Sequence, residues 1–453
     1  MNDVRSNVHP TGRLLHVLGV AFGLAVLVGN TIGMGILRTP GEVAARVPSV
    51  PLFMAIWAAG ALYALLGALT VAELSAMRPR SGGQFPLVHH ALGPYAGFVT
   101  GWTDWLSTSG SIAAVAIVFG EYVGPLIAAF AGHAAMVASS VVVLFAVLQW
   151  RGIRFGDAAQ RLTSLLKALA LVTLAIVALV MSGEHMPTIR PSIASVVMPS
   201  GVALASAVIV ALQSVIYTYD GWTGPVYFAE EIQDPGRAIP RTMIGGVLLV
   251  MLIYLLLNAA FLRVIPIREM AGDPFVAASA AVRLFGPKGD TVLRLVMLVS
   301  LIATVNALQL MASRVPYAMS RVALFPKFFQ RVNAGGTPVP AHFASAALAL
   351  LFIVTNTFDS VLALLAFLFV ANYAMTFTTL FVLRMREPLT PRPFRVPWYP
   401  VVPGLAVAGS VAFMIAALVS DRSNSMRALA LVALSWPVYR LIRWRAEKDR
   451  HRR

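Results

Sequence analysis

The chain has 453 residues, of which 58% are apolar and only 12% are charged, and its mean hydropathy is +0.78. A soluble globular domain needs more charge on its surface, so this composition excludes that class and indicates a polytopic membrane protein. The absence of cysteine excludes disulfides, thiolate chemistry and cysteine metal sites.

Apolar stretches recur along the whole length, and each is long enough to cross roughly 30 Å of hydrocarbon. We therefore predict an all-α integral membrane fold with twelve transmembrane helices. The predicted spans are about 14–37, 50–77, 94–122, 134–151, 157–182, 199–229, 241–264, 291–321, 340–356, 360–383, 400–420 and 424–443.

Most of the 35 Lys and Arg residues fall in the connections on the side of the two termini. By the positive-inside rule both termini are expected in the cytoplasm, and the location expected is the cytoplasmic (inner) membrane of a bacterium. The net charge of +16 does not indicate nucleic acid, since no basic domain stands apart from the helices. The basic run 440–453 is instead expected to lie on anionic headgroups of the lipid bilayer.

The first span is interrupted at residues 30–42, where Gly33 and Gly35 flank Met34. Small residues can serve close helix packing, and taken alone the glycines indicate this as much as a site. A helix broken inside a bilayer must have its freed amides and carbonyls satisfied by something, which in transporters is the cargo.

A second interruption is predicted inside the sixth span, where Asp220, Gly221 and Pro225 follow Tyr217. Tyr217 and Trp222 are also compatible with core or interfacial aromatic residues, and Asp220 with a helix cap, a proton carrier or a cation-recognition group. Breaks five helices apart predict a five-plus-five inverted repeat. The predicted units are a tail at 1–13, repeats at 14–182 and 199–384, helices eleven and twelve at 400–443, and a basic tail at 444–453.

Amides at the start of one half-helix bind a carboxylate, and carbonyls at the end of another bind an ammonium group. An α-amino acid carries both groups on one carbon. Asp104 and Trp105 in the third span and Asn306 in the eighth are candidates for its side-chain pocket, although interhelical hydrogen bonding explains such polar residues equally well. Metalloprotease, Walker and dinucleotide motifs do not occur, and the histidines lack metal-ligand spacing, so we expect no enzyme, metal or cofactor.

At both breaks the sequence resembles the amino acid–polyamine–organocation (APC) superfamily, and within it the L-type amino acid transporters. The resemblance spans about 14–384 and rests on five stretches: 28–37, 72–94, 151–156, 217–241 and 313–338. It implies alternating access around a substrate site. The site residues implied are Asn30, Ile32, Gly33, Met34, Gly35, Tyr217, Thr218, Asp220 and Gly221.

The resemblance also assigns Lys167 in the fifth span, where sodium-independent relatives have a lysine in place of a sodium ion. Met34 departs from the family's Gly-Ser-Gly pattern and leaves the substrate size open. Without cysteine the chain cannot form the disulfide-linked heavy-chain complex of animal relatives, so a monomer or weak homodimer is expected. The predicted function is sodium-independent secondary active transport of α-amino acids, by exchange or proton-coupled uptake. The alternative is a non-transporting sensor or scaffold with the same fold.

Overall fold

The structure is a computed structural model that describes residues 14–181, 198–355, 358–420 and 422–451. These residues are almost entirely helical and contain isolated bridges but no strand. The predicted tail at 1–13 and the last two residues of the tail at 444–453 lie outside them. The helices are α1 (Val20–Thr31), α2 (Gly35–Arg46), α3 (Val50–Met77), α4 (Phe85–Leu92), α5 (Pro94–Val123), α6 (Ala134–Trp150), α7 (Ile153–Met181), α8 (Gly201–Thr218), α9 (Pro235–Val264), α10 (Ile267–Met270), α11 (Val276–Phe285), α12 (Gly289–Ala312), α13 (Arg314–Arg321), α14 (Val339–Thr355), α15 (Phe358–Arg386), α16 (Val401–Ser420) and α17 (Arg422–His451).

Within the described residues, eight helical segments are long and apolar enough to cross a membrane, and the bent pair of α1 and α2 gives a ninth. The apolar helices α6 and α14 are shorter, with 17 residues each. The chain is therefore a multi-pass membrane protein. The helix bounds follow the predicted spans closely, for example in α3 and α16, because transfer from water to hydrocarbon depends on apolar runs that are local in the sequence.

In the sixth predicted span, 199–229, regular α-helix ends close to the interruption predicted at 217–225. Regular α-helix ends at Thr218, and residues 224–228 form only a short 3-10 turn. Gly221, at a φ of 112°, lies in the connection between them, in a backbone region that side chains rarely adopt. Regular α-helix in this span is thus limited to residues 201–218.

Long helices surround the two interrupted segments. Helix α1 packs against α7, α9 and α12, and α3 runs along both α8 and α9. Trp57 of α3, Tyr219 and Tyr254 form a buried aromatic cluster whose ring centroids lie 4.8–6.1 Å apart. Such pairs add about 0.5–1.5 kcal/mol each beyond their buried area, so the cluster fixes the end of α8 against α3 and α9.

The outer faces of the bundle expose large apolar side chains. On α7, Leu162, Leu165, Leu166 and Leu169 are each between 46% and 59% exposed. A continuous apolar face of this kind is unfavourable in water but is solvated by lipid tails. It explains why a chain with so few charges folds in a bilayer.

Candidate substrate site at two interrupted helices

The first interruption separates α1 from α2 at residues 32–34, and the two helix axes differ by 43°. The amide of Gly33 donates to the carbonyl of Thr31 (2.9 Å), but in the described part of the chain the amides of Met34, Gly35 and Ile36 have no recorded acceptor. These amides begin a twelve-residue helix, where the helix dipole also favours negative charge. The start of α2 can therefore bind a carboxylate.

Lys167 holds the carbonyl end of α1. Its Nζ donates to the carbonyl of Gly29 (2.9 Å), to the carbonyl of Ile32 and to Oγ1 of Thr304 (3.0 Å). The side chain is fully buried, and among the described residues no carboxylate forms an ion pair with it. The three donors of the ammonium group are thus used by α1 and α12, and its charge faces the negative end of the α1 dipole.

Two hydroxyls of α12 that were not predicted from the sequence complete this contact. Thr304 donates to the carbonyl of Gly29 (2.8 Å), and Ser300 lies 3.3 Å from the carbonyl of Ile32. Gln160 and Ser164 of α7 donate to the carbonyl of Ala25 (3.1 and 2.7 Å). The carbonyls of Ala25, Gly29 and Ile32 therefore fasten α1 to α7 and α12.

The two interruptions lie against each other. Nδ2 of Asn30 donates to the carbonyl of Gly221 (3.3 Å), and the hydroxyls of Thr39 and Thr218 are 2.9 Å apart. The hydroxyl of Tyr254 bridges the carbonyls of Thr31 (2.8 Å) and Thr218 (3.1 Å). Polar groups freed in one span are thus satisfied partly by the other, as burial in an apolar medium requires.

A cavity of about 400 Å³ opens at this junction, which is large enough for an amino acid. Seven of the nine predicted substrate residues line it, namely Asn30, Gly33, Met34, Gly35, Tyr217, Thr218 and Asp220. Ile32 and Gly221 do not line the cavity; Ile32 is fully buried and its carbonyl accepts from Lys167. Thr108 and Ser111 of α5 and Ser214 of α8 contribute hydroxyls that the sequence analysis did not single out.

The three candidates for the side-chain pocket lie outside the cavity lining. Asn306 is buried between α6, α7 and α12, where it donates to Gln160 (2.7 Å) and accepts from Gln149 (2.9 Å). Trp105 donates to the hydroxyl of Ser345 (2.8 Å). Asp104 accepts from the hydroxyl of Tyr227 (2.5 Å), and it is Tyr227 that lines the cavity.

Asp220 accepts a hydrogen bond from the hydroxyl of Tyr373 on α15. The ring of Tyr373 packs against Trp222 in a tilted arrangement with a centroid distance of 4.9 Å, and Trp222 is only 2% exposed. Trp222 is therefore packed in the core of the bundle next to the second interruption, which disfavours the interfacial-belt alternative.

A group of ion pairs lies at the end of the bundle that carries the loops predicted to be cytoplasmic. Arg314 of α13 and Glu231 form a two-pronged ion pair (3.1 and 3.0 Å) with both side chains at most 1% exposed. The backbone of Glu231 is also paired with Leu18, just before α1 (2.9 Å). Glu230 pairs with Arg80 and Arg321, and Glu73 pairs with Arg384 and Arg392. These contacts tie the start of α1 and the segment after the second interruption to the end of α12–α13.

Replacement of Glu231 by Gln is expected to lower the stability of the folded protein by about 3–5 kcal/mol, because it leaves a buried guanidinium without its counter-charge. The neighbouring change Glu230→Gln is the matched control and should cost less than about 1 kcal/mol, since its ion pairs are partly exposed. Thermal unfolding of the purified variants measures both. Equal losses of stability in the two variants would show that the buried ion pair contributes no more to folding than the partly exposed pairs of Glu230.

Interrupted helices whose free backbone groups face one cavity, within a multi-pass membrane bundle, define the class of secondary transporters. The family described as amino acid permease matches residues 14–436. The chain therefore belongs to the amino acid permease family, whose members are transporters and not enzymes.

The similar proteins cover nearly the whole chain. The serine/threonine exchanger SteT of Bacillus subtilis (strain 168) is 27% identical over 430 residues, which are 93% of this chain and 95% of that protein. The b(0,+)-type amino acid transporter 1 of Mus musculus is also 27% identical, over 91% of this chain and 84% of its own length. The human large neutral amino acids transporter small subunit 2 is 26% identical, over 84% and 72%. The chain is accordingly an amino acid transporter.

Proposed function

We propose that this protein carries α-amino acids across a bacterial inner membrane by sodium-independent secondary transport. The observation that carries the proposal is the free amide group at the start of α2, which faces a cavity beside the carbonyl end of α8. The amides of Met34 and Gly35 would receive the substrate carboxylate, and carbonyls at residues 217–220 would receive its ammonium group. The similar proteins are named as exchangers and transporters, and this supports transport over the sensor alternative.

The fold proposed for this function has twelve spans, with five-helix repeats at 14–182 and 199–384 in inverted orientation and both termini in the cytoplasm. Spans one and six would be unwound near the middle of the bilayer. In alternating access, the start of α1 and the segment around Glu231 would move away from α12–α13. This movement would break the Glu231–Arg314 pair while the outer half of the cavity closes.

The side chain carried is proposed to be small and neutral. Met34 takes space where the family's motif has a serine, and Thr108, Ser111 and Ser214 offer hydroxyls to a polar side chain. The name of the Bacillus relative, a serine/threonine exchanger, supports substrates of this size. A chain without cysteine has no disulfide-linked subunit, and we propose that it works as a monomer or weak homodimer.

Counterflow in proteoliposomes tests the function directly. Vesicles loaded with unlabelled serine or threonine should accumulate the same labelled amino acid, and protein-free vesicles should not. Binding without counterflow, shown as a thermal shift with no exchange, would favour a sensor.

The same vesicles test the ion requirement. We expect the counterflow rate to stay unchanged when external and internal Na⁺ are replaced by K⁺ or choline, because the Lys167 ammonium already occupies the position between α1 and α12. A rate that rises with Na⁺ concentration would contradict the role proposed for Lys167.

A further inference from the structure

Asp104 is a carboxyl group buried in the bundle that takes no part in the proposed substrate site. It lies in the middle of α5, is 1% exposed and does not line the cavity. Its Oδ1 accepts from the hydroxyls of Tyr227 (2.5 Å) and Thr108 (3.3 Å). Its Oδ2 is buried beside the backbone of Gly83 and Gln84, and no side chain among the described residues hydrogen-bonds it. An ionised carboxylate in this environment is costly unless it is paired, so without a cation nearby the neutral, protonated form is favoured.

No cation faces Asp104 in the described residues. Tyr227 is the titratable group in contact with it, and Asp220, itself bonded to Tyr373 of α15, is the other carboxyl group near enough to act on its charge. The guanidinium of Arg314 on α13 is engaged by Glu231, and His89 of α4 packs at Gly97, about two turns away along α5. The charge of Asp104 is thus controlled by its own proton.

Asp104 has contacts toward both sides of the bundle. Tyr227 connects it to the cavity, since the same side chain lines that cavity and donates to Oδ1. On the other side, the turn 81–84 covers Oδ2: a Cβ on Gly83 would lie 2.7 Å from that oxygen. Ser81 of this turn lines a second cavity, beside Arg80 and Arg321, at the end of the bundle predicted to be cytoplasmic. One short turn therefore separates the carboxyl group from the opposite compartment.

We propose that Asp104 carries one proton inward with each amino acid, an inference that rests on the transport function proposed above. With the cavity open to the outside, a hydronium ion in the cavity gives a proton to the Tyr227 oxygen as the Tyr227 hydroxyl passes its own proton to Oδ1 of the carboxylate, so that Tyr227 stays neutral and the hydronium ion leaves as water. Once the cytoplasmic end opens, the carboxylic acid releases that proton to water beside the turn 81–84. One zwitterion and one proton enter per cycle, so one positive charge crosses the membrane. No oxidant, reductant or further reactant is involved.

The test is net uptake into amino acid-free proteoliposomes with the outside one pH unit more acidic than the inside. Coupling of one proton to one amino acid allows up to about tenfold accumulation under this gradient, because each pH unit corresponds to a factor of ten. A trapped pH-sensitive dye should report acidification of the lumen only when the amino acid is added. An inside-negative potential should raise the uptake further.

Asp104→Asn keeps the shape and the hydrogen bonds of the side chain but cannot carry a proton. We expect it to retain counterflow, since Asp104 does not line the cavity, and to lose both accumulation and lumen acidification.

Tyr227→Phe should slow proton-driven uptake. The apparent KM of the wild type should rise with external pH, while that of Asp104→Asn should not change with pH. The matched control is Asp290→Asn, which should behave as wild type. Asp290 lies near the start of α12, is ion-paired and has a side chain that is 37% exposed.

The outcomes separate this proposal from the transport function. Wild-type protein that performs counterflow but shows no proton-driven uptake would overturn the role of Asp104 and leave transport standing. Asp104→Asn with wild-type accumulation and acidification would overturn it as well. Absence of counterflow in the wild type would instead contradict the transport function itself.

Discussion

Lys167→Ala is expected to lower the rate of amino acid counterflow by roughly 1,000-fold, because it removes charge-assisted hydrogen bonds worth about 1.5–3 kcal/mol each from the end of α1. The carbonyls of Gly29 and Ile32 then lose the donor that ties them to α12, and the movement of α1 is no longer coupled to that helix. Binding at the start of α2 should persist, since Lys167 does not contact the free amides. Initial counterflow rates together with ligand-induced thermal shifts measure the two effects.

Lys327→Ala is the control for this change, because Lys327 is an exposed lysine outside the cavity. It should leave the counterflow rate unchanged. Thr304→Val removes the hydroxyl that Lys167 shares with Gly29 and should give an intermediate loss, roughly tenfold. A Lys167→Ala protein with full counterflow would reject the role of the ammonium group.

Gly33→Val is expected to weaken amino acid binding by at least roughly 100-fold with little change in thermal stability. A Cβ on Gly33 would meet no protein atom within 4 Å, and Gly33 lines the cavity, so the added side chain occupies space intended for the substrate. Its backbone does not require positive φ. Titration of the amino acid, followed by thermal shift or calorimetry, measures the affinity.

Gly245→Val provides a matched comparison, since a Cβ there also meets nothing within 4 Å but lies on an exposed face of α9. Binding by this variant should equal that of wild type. If Gly33→Val bound its substrate as tightly as Gly245→Val does, the carboxylate would have to be held elsewhere.

The sequence was sufficient to locate the long helices and both interruptions. Apolar runs and the placement of Gly33, Gly35, Asp220 and Gly221 are local features, and their energetic consequences in a bilayer are large. Lys167 was assigned through the resemblance to sodium-independent relatives, and its depth in an apolar span agrees with that assignment because a buried lysine needs a partner. In each case one residue's surroundings in the chain carry the information.

Partners distant in the chain could not be read in the same way. Ser300, Thr304 and Tyr254, which hold the carbonyls of the first interruption, are residue types common in membrane helices, and only the packing selects them. Asn306 was a candidate for the side-chain pocket with interhelical hydrogen bonding as the open alternative, and the packing places it against Gln149 and Gln160. Arg314 and Glu231 are 83 residues apart, and no local pattern pairs them.

The central claim is that backbone groups at the two interruptions hold both charged ends of an amino acid. An experimental structure with a bound amino acid tests it most directly. We expect the substrate carboxylate within about 3 Å of the amides of Met34 and Gly35, with the ammonium group at the carbonyls of residues 217–220. An amino acid bound away from these groups, or continuous hydrogen-bonded helices through residues 30–36 and 217–225, would contradict the account.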